Sequence, residues 1–257
     1  MNNIKYFTLA LRTEIIKMKN TLGVWTALIF PALVVFMNFM IYHNRPKMLL
    51  AGDVNPWIFI SRNAVSIYSI LFLPLFIAII TFYVNYNEHK SNAWRQIYAL
   101  PIPKGSVYTA KLLVSFIIIC LSMFFFYTIN YLSIITLKSL HPEIPFDKYI
   151  YDSIIWITFI KITLASTGIL AIQFVISILF GNFIYPLGFG LIATFAGAFL
   201  MQWEKIIYYP YAFPFRAGMD IINHNYTVFN QNVIFSIITL AVFSVAGYFI
   251  HFRLRIK

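Results

Sequence analysis

Six long stretches with almost no charge constrain this chain more than any other feature. They cover residues 21–42, 64–86, 112–137, 153–180, 183–203 and 231–252, and within them Lys161 is the one charge well inside a stretch. About 20 consecutive apolar residues suffice for a helix to cross a bilayer. The rest of the composition agrees. Charged residues make up 11% of the chain and hydrophobic ones 61%, with a mean hydropathy of +0.79. A soluble domain carries roughly 25% charge. The expected fold is all-α, a polytopic membrane protein with six transmembrane helices in one domain over residues 1–257. "GN" at Gly181 and Asn182 reads as a tight turn between the fourth and fifth spans.

Six spans put both termini on one side, and the basic residues choose which. The termini and the connection through residue 111 (87–111) together hold eleven Lys and Arg, whereas the other connections hold seven. Basic flanks stay on the cytoplasmic side, so the expected topology is N-in, C-in, in a cell membrane. Over residues 1–20, Ile4, Phe7, Leu11, Ile15, Met18 and Leu22 recur at helical spacing, and Lys5, Arg12 and Lys19 recur every seven. That pattern predicts an amphipathic helix on the inner membrane surface. It is not expected to be a cleavable signal, because the apolar run behind it is too long and no small-x-small site follows.

The motifs exclude more chemistry than they suggest. No G-x-x-x-x-G-K-[ST] phosphate loop occurs, and Gly105 lacks the following Gly-Lys-Ser/Thr. The five histidines are scattered, none within helical reach of a cysteine or another histidine, so no metal ligands are expected. Six of the eight acids fall in outer segments and none mid-span, which argues against a carboxylate relay or a membrane protease. No catalytic residue, cofactor or nucleic-acid partner is therefore expected. Cys120 has no cysteine to pair with, and "NYT" at Asn225 is a weak glycosylation pattern. Lys161 either snorkels to the outer headgroups or pairs or lines a pathway; with Gln173 it is the candidate pathway pair. Ala165, Ser166, Gly168 and Ala171, and separately Gly190, Thr194 and Ala198, form small-residue patches suited to close helix packing.

Two connections stand out. "WRQIYALPIPKGSVYTAK", residues 94–111, is basic and holds Pro101 and Pro103. Ser91 can cap a short helix whose face carries Trp94, Ile97 and Tyr98, the prolines stop it, and Ser106 can cap the third span. Such a face either binds anionic lipid headgroups or docks into a groove of a cytoplasmic partner. On the outer side, residues 203–220 are dense in aromatics. Trp203, Tyr208, Tyr211, Phe213 and Phe215 suit an interfacial belt or a short helix dipping back into the membrane.

Glu88, then "LPIPKGSVYTAK" (residues 100–111), gives the chain a recognisable signature. It resembles the type-2, exporter-like group of ABC-transporter permeases, and within it the short permeases of antibiotic-resistance and lantibiotic-immunity transporters. Lys104 stands where that group commonly has arginine, and Pro103 is an additional proline. The resemblance implies that residues 1–20 are a connecting helix and that the 87–110 loop carries the coupling helix seated in a separate ATPase subunit. Glu88, Trp94, Arg95, Ile97, Tyr98, Leu100, Pro101 and Lys104 would be its ATPase-coupling residues. It further implies a re-entrant external hairpin at 203–220, a second permease copy or paralogue, and ATP hydrolysis outside this chain. The expected function is export of an amphipathic or apolar substrate such as a peptide antibiotic or lipid. The alternative is a non-transporting membrane immunity protein that sequesters a peptide or lipid.

Overall fold

The computed structural model describes residues 3–50, 55–90, 103–149 and 153–253. Among these residues the secondary structure is helical throughout, with no strand. Helix α1 (Asn3–Met18) is followed by α2 (Leu22–Asn44), the single turn α3 (Lys47–Leu50), α4 (Pro56–Ile67) and α5 (Leu73–Lys90). After these come α6 (Lys104–Leu140), α7 (Ser153–Ala165), α8 (Thr167–Leu179), α9 (Ile184–Phe199), the short α10 (Phe213–Gly218) and α11 (Gln231–Arg253). Among the described residues, six helical stretches are long and apolar enough to cross a membrane: Leu22–Asn44, Pro56–Tyr86, Lys104–Leu140, Ser153–Leu179, Ile184–Gln202 and Gln231–His251.

Local chemistry sets several boundaries. The second span starts at Pro56, earlier than the apolar run suggests. Asn55 caps it, its side chain accepting from the Trp57 amide at 3.0 Å, and Pro56 takes the first helical position. Between α4 and α5 a wide π turn covers Tyr68–Phe72. Pro74 follows at once; it has no N–H and crowds the carbonyl one turn back, which a widened turn relieves. At 37 residues, α6 is about 55 Å long, more than a bilayer core is thick. It begins at Lys104 with Pro103 in the cap position, so Ser106 lies inside the helix and is not its cap.

The fourth span is two helices rather than one continuous run. The break falls at Ser166, and a residue from another span repairs it. Ser236 of α11 donates to the Ala165 carbonyl at 2.8 Å and accepts from the Gly168 amide at 2.8 Å. A Cβ on Gly168 would sit 3.1 Å from that hydroxyl oxygen, so the small residue is what lets α11 come this close.

The second and fourth spans form the buried centre, where α5 packs on α8. Around them α2 packs on α6, α11 on α8 and α7, and α9 on α5. A ring cluster of Tyr68, Phe126 and Phe159 ties α6 and α7 to the π turn, with centroids 4.3 and 5.0 Å apart. Apolar side chains such as Phe36, Leu121, Phe124, Ile192, Phe195 and Val245 face outward, as lipid contact requires.

Helix α1 lies against α6 and turns into α2 at Asn20, whose φ of 63° is a left-handed conformation asparagine tolerates. Its bundle-facing side takes up only part of the apolar stripe. Phe7, Leu11, Glu14 and Met18 turn inward, while Ile4, Ile15 and Leu22 are exposed. One end of the bundle gathers α1, the C-terminal turns of α5 and α11 and the first turns of α6. The other end gathers the C-terminal ends of α2 and α6, the start of α4 and residues 203–230.

Candidate functional site

Glu14 occupies a position on α1 where the packing stripe would otherwise hold an apolar side chain. An acid there must find cations, and it finds two. Lys17 Nζ lies 2.7 Å from Glu14 Oε1, and Lys111 Nζ lies 3.0 Å from Glu14 Oε2. The same two ammonium groups serve Glu88, at the end of α5. Lys17 is 2.7 Å from its Oε1, and Lys111 is 2.9 Å from its Oε2, in ion-pair rather than hydrogen-bond alignment. Each carboxylate oxygen thus faces one ammonium, and the four side chains close a neutral ring of alternating charge. Lys111 also donates to the Val84 carbonyl at 2.5 Å.

Glu14, Glu88 and Lys111 are each at most 3% exposed; Lys17 keeps one side toward solvent. Burial by itself would push the Glu88 carboxyl up. Lys111 and Lys17 outweigh it and hold the group below its usual range. Burial would likewise lower the Lys17 ammonium, but its bonds to Glu14 and Glu88 leave it raised. Lone buried charges are costly, and a closed, balanced ring is what makes four of them tolerable here.

The ring's placement gives it mechanical meaning. Glu88 ends the helix that enters segment 91–102, and Lys111 sits near the start of the helix that leaves it. Both are fastened to α1, so the ring links the N-terminal helix to the second and third spans. His251, buried in the last turns of α11, lies in the field of Lys111 and Glu88, and its ring centroid is 5.7 Å from that of Tyr108, the planes tilted by 48°. Tyr108 donates to the Ser244 carbonyl at 2.9 Å, which brings the sixth span to the same junction.

Of the expected coupling residues, Trp94, Arg95, Ile97, Tyr98, Leu100 and Pro101 lie outside the described residues. Lys104 opens α6, and Glu88 is in the ring. Sequence reasoning did not single out Glu14 or Lys17. The available signal was an acid on the inward stripe of an otherwise basic helix.

At the opposite end, Lys161 is fully buried and its ammonium lies 2.9 Å from Asp220 Oδ2. It also donates to the Asn225 carbonyl, and Asn230 donates to the same carboxylate oxygen. Of the alternatives for this lysine, the structure gives pairing within the protein, not snorkelling to headgroups. Gln173, also fully buried, donates to the Tyr211 hydroxyl at 2.9 Å. The two candidate pathway residues therefore each hold part of the 203–230 region.

The aromatic candidates divide. Tyr211 and Phe213 are buried against the bundle, Phe215 is half-buried, and Trp203 and Tyr208 are 50% and 64% exposed. Helix α10 packs on α7, α4, α11 and the π turn, and a Cβ on Gly218 would fall 2.7 Å from Val65. The histidines are less scattered than linear spacing implied, since the fold brings His43 and His141 to 3.1 Å.

Comparison with known proteins adds one result. The family model described as "ABC-2 family transporter protein" matches residues 10–197, nearly three quarters of the chain, and this region contains all four members of the ion ring. No curated protein and no solved structure matches the chain significantly.

Proposed function

Because the chain belongs to the ABC-2 family of transporter proteins, we propose that it is the membrane-spanning permease subunit of an ATP-binding-cassette exporter, with ATP hydrolysed in a separate cytoplasmic subunit. The observation that carries this reading is the buried ring of Glu14, Lys17, Glu88 and Lys111. It ties α1 to the helices flanking segment 91–102, where a partner's push would enter. The ring's end of the bundle is then the cytoplasmic end, in keeping with the basic residues of the termini and of the 87–110 connection.

In this reading, the 87–110 loop holds the coupling helix, with Trp94, Ile97 and Tyr98 as its docking face. Residues 203–220 are the external closing segment, re-entrant at α10. Their supports are the buried Tyr211 and Phe213 beside the exposed Trp203 and Tyr208. The substrate is amphipathic or apolar, a peptide antibiotic or a lipid, moved outward across the cell membrane. Two permease subunits and two ATPase subunits make the working unit.

The test is co-expression with candidate ATP-binding-cassette subunits encoded beside this chain. An ATPase should co-purify, and the double substitution Trp94→Ala/Tyr98→Ala should release it and abolish transport. An intact complex and intact transport in that variant would sink the assignment. Protection that survives ATP depletion would instead favour a sequestering immunity protein.

A further inference from the structure

His43 and His141 are 98 residues apart in sequence, yet His43 Nδ1 and His141 Nε2 lie 3.1 Å from each other. His43 is in the last turn of α2 and His141 caps the C-terminus of α6. The ring centroids are 5.2 Å apart and the planes are inclined by 61°. Phe39 stacks on the His43 ring at 5.8 Å and fixes its plane.

The other nitrogen of His141 is committed. His141 Nδ1 lies 2.9 Å from Glu143 Oε1. In the neutral imidazole the proton sits on Nδ1 and is donated to that carboxylate. The lone pair is then on Nε2, facing His43. A carboxylate behind an imidazole is the arrangement that orients metal-binding histidines and raises their basicity.

The spacing also suits a shared ion. With metal–nitrogen bonds of about 2.05 Å, two nitrogens this far apart subtend roughly 98° at the metal. That lies between square-planar and tetrahedral geometry. Field and sequence context agree, because the C-terminal ends of α2 and α6 converge here and the negative ends of their dipoles favour a cation. Of the nearby cations, Lys138 is paired with Asp147, and Arg45 is exposed to screening solvent.

We propose that His43 and His141 form a two-imidazole site for a divalent transition metal of the zinc and copper class, with Glu143 orienting His141. Among the described residues no cluster of three or more protein ligands forms, so water completes the coordination. Binding needs no net loss of a proton: His43 shifts its proton from Nδ1 to Nε2, the hydrogen bond between the two rings is given up, and the rings tilt until both lone pairs meet the metal. The site braces the first span against the third at the end remote from the ion ring.

The experiment uses the full chain in detergent, stripped of metal and titrated with ZnCl2 by calorimetry and thermal unfolding. Cu²⁺ electron paramagnetic resonance supplies a second readout. Wild type should bind saturably, unfold at a higher temperature with zinc, and show two coordinated nitrogens with copper. His43→Ala and His141→Ala should each abolish the thermal shift and one nitrogen coupling. Glu143→Gln should weaken binding about tenfold while keeping both nitrogens. His224→Asn should bind like wild type. No saturable binding by wild type would overturn the proposal, as would binding that His43→Ala leaves unchanged.

Discussion

Replacing Lys111 by methionine removes the most buried cation of the ion ring and keeps its apolar stem. The ammonium is 1% exposed and serves Glu14 Oε2 at 3.0 Å, Glu88 Oε2 at 2.9 Å and the Val84 carbonyl at 2.5 Å. Without it, two buried carboxylates share Lys17 alone and the ring carries a net negative charge. Stranding a buried charge in this way costs about 3–5 kcal/mol. For a chain of this size, roughly 2–4 °C of melting temperature goes with each kcal/mol, so the expected fall is about 6–20 °C. Glu88→Gln added to Lys111→Met rebalances the charge, because Glu14 and Lys17 remain paired at 2.7 Å. The double variant should therefore lose at least about 1.5 kcal/mol less than the two single losses combined. Thermal unfolding of the purified chain, followed by tryptophan fluorescence, reads all three. A fall under about 2 °C for Lys111→Met, or simple additivity in the double variant, would refute the closed ring.

Acid and base should each open the same ring. Glu88 is held below its ordinary 4.5, so its contribution is complete above that pH and is lost as pH falls through the depressed value. Lys17 is raised above 10.5, so its share is complete below that pH and is lost as pH rises through the raised value. Stability against pH should show a plateau between these limits, and Glu88→Gln should flatten the acid limb and shrink the basic one, because Lys17 then keeps Glu14 as its one carboxylate in the ring. Lys161→Met should release the 221–230 region from the fourth span, seen as faster hydrogen exchange there with α1 unchanged; equal exchange would contradict the anchoring role. Gly190→Ala places a Cβ 2.7 Å from Gln173 Nε2, displacing its bond to Tyr211 at about 1–3 kcal/mol. Gly188→Ala meets nothing within 4 Å and should be nearly silent in the same unfolding assay.

How much could be read in advance depends on the range of the forces involved. The six apolar helices were legible because the bilayer imposes length and hydropathy on each span by itself. The break at Ser166 was not, because Ser236 of another span satisfies its open backbone groups. Which part of the α1 stripe packs on the bundle was not legible. Ile4 and Ile15 have the same hydropathy as residues that pack, and only the position of α6 decides which side is inside. Glu88 was singled out by its motif, whereas its pairing with Glu14 and Lys111 depends on tertiary approach over long sequence separations. His43 and His141 show the same limit, since spacing along one helix says nothing of two helix ends that meet.

Efflux and ATP hydrolysis measured in the same liposomes test the central claim most directly. The chain would be reconstituted with its ATPase subunit, as wild type and as Glu88→Gln/Lys111→Met. If the ring carries the ATPase stroke into the spans, wild type moves substrate only with ATP. The double variant then still hydrolyses ATP but moves severalfold less substrate per ATP. Unchanged transport per ATP in that variant, or transport with no ATPase present, would contradict the account.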